Sequence, residues 1–125
     1  MSSEKERALH EFWNSFEVVA YEESSVPDDA DYPRITYNVA TDSLGGVVSL
    51  HADLWFRSSS WVAITELSDM IAKRIKKNGH VVLPLASGGY IYLVGGTPFA
   101  QRIDDTDDTI KRIYINLQAE FLTAY

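Results

Sequence analysis

The stretch that decides the fold is Val47-Val-Ser-Leu-His-Ala-Asp-Leu-Trp-Phe-Arg57. Within it every second side chain is apolar, which is the period of a β-strand with one buried face. The opposite face is polar apart from Trp55, so it is expected to meet solvent or a partner. The apolar positions are Val48, Leu50, Ala52, Leu54 and Phe56, and the opposite positions are Ser49, His51, Asp53, Trp55 and Arg57.

The residues on either side predict further strands. Ile35 to Ala40 alternate in the same way and are joined to the first stretch by Thr-Asp-Ser-Leu-Gly-Gly at 41–46, which predicts an antiparallel hairpin. A second hairpin is predicted for 81–85 and 90–94, and Pro84 favours an edge position for it. A last strand is predicted where the alternation returns, over 113–122.

Two helices are predicted beside these strands. A capping-box pair, Ser3 and Glu6, precedes an apolar stripe that predicts a helix reaching about Glu17. Serines 58–60 are predicted to cap a second helix that ends near Gly79. Residues 22–31 contain five acids and no base, which indicates a solvated connection. The stripe of the first helix is Leu9, Phe12, Trp13 and Phe16, and the last turns of the second carry Lys73, Arg74, Lys76 and Lys77.

The order of the predicted elements is α-β-β-α-β-β-β. Strands joined by short turns, with helices at only two places, predict the α+β class: an antiparallel β-sheet with two helices packed on one face. The chain has 125 residues, the size of one domain, so a single domain is expected over residues 1–125.

Composition excludes several classes of function. The net charge of -7 repels phosphate, so no duplex-binding surface is expected. The absence of cysteine excludes disulfides and thiolate metal sites. The apolar runs are too short to span a membrane, and the charged N-terminus does not resemble a signal peptide.

No residue pattern predicts a catalytic centre, a cofactor site or a metal site. The glycine pairs lack the neighbours of a phosphate loop, and the three histidines lack the spacing of metal ligands. The acidic run 104–108 lacks the pattern of a calcium loop. We therefore predict that the protein is not an enzyme. A small enzyme or ligand-binding domain that uses the face of Ser49, His51 and Asp53 stays open as an alternative.

The surface predicts contacts with other proteins. Trp55 lies on an otherwise polar strand face, and aromatic residues are enriched in interfaces, although such a ring also packs under loops. Bases collect at the end of the second helix, whereas acids collect at 22–31 and 104–108. Such opposite patches either meet head-to-tail between copies in a closed ring or are simply solvated.

Several stretches carry a family resemblance. Residues 32–57, from Tyr-Pro-Arg-Ile-Thr-Tyr to Leu-Trp-Phe-Arg, resemble the small tail-terminator proteins of long-tailed (siphovirus-type) phages and prophages, also called tail-completion or tail-to-head joining proteins. Gly-Thr-Pro-Phe-Ala-Gln-Arg at 96–102, Arg-Ile-Tyr-Ile-Asn-Leu at 112–117 and Glu-Phe-Leu-Thr at 120–123 are similar to the same family. With Phe-Trp-Asn-Ser at 12–15, the resemblance covers most of the chain.

The resemblance implies a structural virion protein. Its expected form is a homo-hexameric ring that caps the tail tube, ends tail polymerisation and joins the tail to the head connector. The implied partners are other copies of the chain, the major tail tube protein and the head-completion or connector protein. DNA would pass through the lumen without specific binding, and no membrane, cofactor or metal is involved. The expected location is the head–tail junction of the virion, after assembly in the cytoplasm of the host bacterium.

Two sets of residues follow as predictions for such a ring. Loops on a rigid sheet commonly carry binding sites, so the loops near 42–46 and 99–108 are predicted to join neighbouring proteins. A lumen that lets DNA slide should repel phosphate, so acids are predicted to line it. The predicted oligomer or tail-tube interface is Asp42, Leu44, Trp55, Arg57, Phe99 and Arg102, and the predicted lumen acids are Asp53, Asp104, Asp105, Asp107, Asp108 and Glu120.

A head-completion or minor capsid junction protein of a phage is the alternative to a tail terminator. Such proteins are of similar size, so composition does not separate the two. The position of the gene, between those of the connector and the major tail protein, would discriminate between them.

Overall fold

The computed structural model describes residues 3–40 and 46–122. These residues form two helices and six strands in the order α-β-β-β-α-β-β-β. The elements are α1 (Glu4–Asn14), β1 (Ala20–Glu22), β2 (Arg34–Tyr37), β3 (Val47–Arg57), α2 (Val62–Lys76), β4 (Val81–Pro84), β5 (Tyr90–Ile103) and β6 (Ile110–Leu122).

All six strands belong to one curled sheet, a half-barrel, with the order β1-β2-β3-β6-β5-β4. The β1–β2 pair is parallel and the other four pairs are antiparallel, so the sheet is mixed. Helix α1 contacts both β1 and β4, which are the two edges of the sheet. Near the second edge, the Glu4 carboxylate accepts a hydrogen bond of 3.1 Å from the backbone N–H of Ser87. The curl therefore brings both edges to the first helix.

The predicted fold class, an antiparallel sheet with the order α-β-β-α-β-β-β, is wrong. The sheet is mixed, and the chain contains an additional strand, β1, before the predicted hairpin. A three-residue strand is too short to show the alternation on which the prediction depended. Parallel pairing also requires a return connection, which the acidic residues 23–33 provide. Glu17 turns the chain into this strand with a positive φ of 64°, and α1 ends at Asn14, earlier than predicted.

The predicted hairpins and edge strand are confirmed. β2 pairs antiparallel with β3, and β4 pairs antiparallel with β5. β4, which contains Pro84, lies at an edge of the sheet, where a missing backbone N–H interrupts no internal ladder. The predicted cap of α2 is wrong in position: Trp61 is the N-cap residue, although the Ser60 hydroxyl accepts from the Val62 N–H at 3.1 Å.

β5 is much longer than its predicted segment of 90–94. The strand continues past Gly95-Gly96 because residues 96–99 bulge out and pairing resumes between Ala100 and Ile115. A Cβ at Gly96 would lie 2.4 Å from the Asn116 side-chain nitrogen, so only glycine fits against β6 here. The acidic residues 104–108 therefore form the turn between two long paired strands, β5 and β6.

The core lies inside the curl, between the sheet and both helices. The predicted stripe of α1 is buried, and the Trp13 ring stacks on Tyr37 of β2 with centroids 6.4 Å apart. The side chains of α2 that face the sheet are Ile64, Leu67, Ile71 and Ile75, and they belong to the same buried cluster as Leu54 and Ile115. Neither helix of the described ranges is long and apolar enough to cross a membrane.

Candidate functional site

Within residues 3–40 and 46–122, no helix packs on one face of the sheet. Both helices bury their apolar residues against the side of Leu54 and Ile115, so the alternate positions of each strand point away from them. We call that second side the uncovered face. Residues paired across strands share a face, and Trp55 is paired with Arg34 on one side and with Arg112 on the other.

A cluster of arginines and aromatic rings lies on the uncovered face, and we call it the arginine–aromatic cluster. The Arg112 guanidinium lies 4.8 Å from the centroid of the Trp55 ring. The guanidinium groups of Arg34 and Arg57 lie 4.4 and 4.7 Å from the centroid of Tyr32. These distances are those of cation–π contacts. The members of the arginine–aromatic cluster are Tyr32, Arg34, Trp55, Arg57 and Arg112.

The cluster carries more positive than negative charge. The Arg112 Nε atom donates to the Asp53 carboxylate at 2.9 Å, whereas Arg57 lies 3.9 Å from Asp107. Arg34 has no carboxylate partner within the described residues; it donates to the Ala30 carbonyl at 3.1 Å, and its buried Nε atom has no hydrogen-bond partner there. The cluster is thus a local basic surface on an acidic chain.

The other end of the uncovered face is mostly apolar, with the Glu120 side chain among its apolar residues because Glu120 pairs with both Val47 and Tyr92. Leu122 and Tyr90 are paired across β6 and β5, and Val82 and Val47 occupy neighbouring strands on the same side. We call these four residues the apolar end. They are 38%, 42%, 44% and 59% exposed in that order, although they belong to the residue types that folding normally buries. Four exposed apolar side chains on one face form the kind of patch that marks a contact surface.

The chemistry of the uncovered face suits binding to protein. Trp, Tyr and Arg are the residue types that contribute most to binding energy at protein interfaces. The proposed set of Ser49, His51 and Asp53 is not brought together as a triad. His51 Nε2 lies 3.0 Å from the Glu23 carboxylate, and the Asp53 carboxylate forms an ion pair with Arg112. His51 therefore has a carboxylate beside it, but that carboxylate belongs to Glu23 and not to Asp53, so the predicted set does not form a triad.

A polar cleft of about 830 Å³ lies between α1 and the first two strands. In it the Tyr37 hydroxyl and His10 Nδ1 lie 2.7 Å apart. Burial, followed by the negative charges of Glu22 and Glu6, raises the pKa of Tyr37 to about 12. The sequence contained no signal for this pair, because no spacing rule connects a helix residue with a strand residue 27 positions later.

The Tyr37 pKa predicts a fall in stability at alkaline pH. The folded protein holds the phenol proton more tightly than the unfolded chain, so this contribution is complete below pH 10 and is lost as pH rises towards 12. Chemical unfolding of the wild type and of Tyr37→Phe between pH 9 and 12 tests it, since the phenylalanine variant should lack this part of the decline. Parallel declines in both proteins would contradict the assignment.

The predicted interface residues lie in different places. Trp55 and Arg57 belong to the arginine–aromatic cluster, and Trp55 also donates from Nε1 to the Thr36 hydroxyl at 2.9 Å. Phe99 is half-buried in the bulge, beside Gly95. The Arg102 guanidinium lies on the helix side, 4.6 Å from the Trp61 ring centroid. The remaining two, Asp42 and Leu44, lie outside the described residues.

Sequence patterns did not indicate Tyr32, Arg34 and Arg112 as members of a contact surface. The last two lie on the uncovered face because they pair with Trp55, and the sequence alone did not specify that register.

The predicted lumen acids are also separated. Asp104, Asp105, Asp107 and Asp108 are exposed on the β5–β6 turn, where hydrogen bonds from the Thr109 side chain and backbone lower the pKa of Asp107. Asp53 is only 7% exposed and is paired with Arg112, so it presents no free charge. Glu120 lies twelve residues beyond Asp108, about 40 Å along an extended strand.

No protein-family profile matches the chain, and no curated protein matches it in sequence. Within the described ranges, no group of three or more His, Asp or Glu side chains is arranged to hold a metal ion.

Proposed function

We propose that this protein is a tail terminator of a long-tailed phage. In this proposal copies of the chain form a ring, a hexamer, that caps the tail tube, ends its polymerisation and joins the tail to the head connector. The observation that carries the proposal is the uncovered face, which combines the arginine–aromatic cluster with the apolar end. A sheet that leaves one whole face without a helix is suited to bind another protein surface.

The resemblance of residues 32–57 and 96–102 to tail terminators supports this choice of assembly. Both stretches run through the sheet: the first contains β2 and β3, and the second lies within β5. The first also contributes four of the five members of the arginine–aromatic cluster, all except Arg112. A stretch that carries the resemblance therefore also contributes most of the proposed contact surface.

The ring also needs a lumen that DNA can traverse. Glu120 and the four aspartates of the β5–β6 turn are candidates for its lining, because negative charge lowers affinity for phosphate, and the aspartates are also candidates for a contact between copies. Asp53 is left out of this proposal, since its carboxylate is buried against Arg112.

The test adds purified protein to preformed tubes of the major tail protein of its phage. Light scattering follows tube growth, and negative-stain imaging shows the tube ends. We expect capped ends and arrested growth with the wild type. Arg57→Glu should weaken capping, because its side chain is exposed in the arginine–aromatic cluster. Arg102→Glu is the comparison variant, since Arg102 is also a predicted interface residue but is an exposed arginine on the helix side.

Two results would contradict the proposal. Tubes that keep growing with uncapped ends would exclude a terminator, and the same assay with head connectors would then test the head-completion alternative. Capping that is lost equally in Arg57→Glu and Arg102→Glu would exclude the uncovered face as the contact surface.

A further inference from the structure

Four basic side chains occupy the last turns of α2 and the residue after it. We call Lys73, Arg74, Lys76 and Lys77 the basic end. All four are exposed, and no ion pair engages any of them within the described residues. Arg74 does have an internal role, because it donates to the Ser15 hydroxyl at 3.1 Å. The three lysines are therefore available to bind negative charge from outside.

The acidic turn is the matching negative surface. It consists of Asp104, Asp105, Asp107 and Asp108, all exposed. Among the described residues, the one ion pair of the turn joins Asp107 to Arg57, and at 3.9 Å that contact is long and solvated. The turn is held in shape by its own backbone, since the Asp107 N–H donates to the Asp105 carboxylate at 2.9 Å. Four negative charges thus face solvent on a turn of defined shape.

These two surfaces lie at opposite ends of α2. At its start, the Trp61 ring lies 5.6 Å from the Lys111 ammonium, which in turn donates to the Asp108 carbonyl. The Ser58 N–H also donates to the Thr109 carbonyl at 2.7 Å, and this hydrogen bond links the residues just before α2 to the acidic turn. The helix has 15 residues and is therefore about 22 Å long. The basic end of one molecule is consequently too far from its own acidic turn to pair with it.

We propose that the basic end of one copy binds the acidic turn of the next copy, and that this contact closes the ring. The inference rests on the proposed function, which supplies the ring. Two complementary patches at different places on one molecule form a heterologous contact, which repeats head-to-tail and closes when the rotation fits. Charges at such a contact set its partner choice and its dependence on salt. The uncovered face then stays free for the tube or the connector.

Charge reversal tests the contact in the full-length protein. The basic-end variant is Lys73→Glu/Lys77→Glu, and the acidic-turn variant is Asp104→Lys/Asp108→Lys. Each variant inverts two of the four charges of its patch and brings the net charge of that patch to zero, so we expect the Kd of self-association to rise about tenfold or more. The comparison variant is Asp28→Lys/Asp29→Lys, which changes the net charge as the acidic-turn variant does but on exposed acids of the β1–β2 connection, the other acidic patch; an equal effect there would overturn the choice of the acidic turn.

Mixing the two variants is the decisive measurement. In an alternating ring, half of the contacts are wild type and the other half set the introduced glutamates against the introduced lysines, so an equimolar mixture should recover rings that neither variant forms alone. Sedimentation velocity and negative-stain imaging, with and without tail tubes, measure this recovery. We also expect wild-type association to weaken with rising salt.

The outcomes separate the inference from the proposed function. If the wild type forms rings or caps tubes while both variants do so equally well, the contact is wrong and the terminator proposal stands. If the acidic-turn variant assembles normally but slows DNA ejection, the turn belongs to the lumen and the inference is overturned. If the wild type neither forms rings nor caps tubes, the proposed function fails first.

Discussion

Replacing Trp13 with alanine is expected to lower the free energy of unfolding by about 3–5 kcal/mol. The side chain is 1% exposed and joins α1 to the sheet through its stacking on Tyr37. Its ring also meets the edge of Phe12 at a centroid distance of 4.9 Å, so truncation leaves a cavity between several large side chains. Because domains are stable by only about 5–15 kcal/mol, this loss is a large share of the total.

Urea unfolding followed by circular dichroism measures the effect. Trp55→Ala is the control, because that ring is only half-buried, on the uncovered face, and should cost less. Equal losses in the two variants would show that α1 does not anchor the sheet through Trp13.

Arg112→Met is expected to cost about 2–4 kcal/mol of stability, because it leaves the Asp53 carboxylate buried without its partner. The side chain of Asp53 is 9% exposed, and that of Arg112 is 31% exposed. Removing the arginine therefore strands a buried charge, whereas Asp53→Asn leaves an arginine that water still reaches. We expect Asp53→Asn to cost clearly less than Arg112→Met.

The double variant Asp53→Asn/Arg112→Met provides the control in this experiment. It removes both charges, so its stability should exceed that of Arg112→Met alone. If the double variant loses as much unfolding free energy as the two single variants together, Asp53 and Arg112 do not stabilise each other.

The sequence was sufficient to predict the elements whose patterns are long. The alternation of β3 extends over four periods and the apolar stripe of α1 over about two helical turns, and the structure buries their apolar positions apart from the half-buried Val48 and Phe56. β1 could not be predicted because it is three residues long and leads into acids typical of a loop. The extension of β5 was hidden by Gly95-Gly96, since glycine pairs usually mark turns and here one glycine makes room for Asn116.

The candidate site was predictable only in part. The polar side of β3 identified Trp55 and Arg57 from one strand alone. The arginines beside them come from β2 and β6, and only the pairing register places them next to Trp55. The order of strands in the sheet also differs from their order along the chain, so the neighbours of a strand could not be deduced from the sequence.

The contact of α1 with both sheet edges has a consequence for synthesis on the ribosome. This helix emerges before the sheet that covers it, and its contacts at the second edge, β4 and Ser87, lie more than 65 residues beyond its last residue. Its apolar stripe must therefore wait for the later strands before it can be covered on both sides. During that interval the nascent helix is open to chaperones, and folding is completed when the later half of the sheet closes onto it.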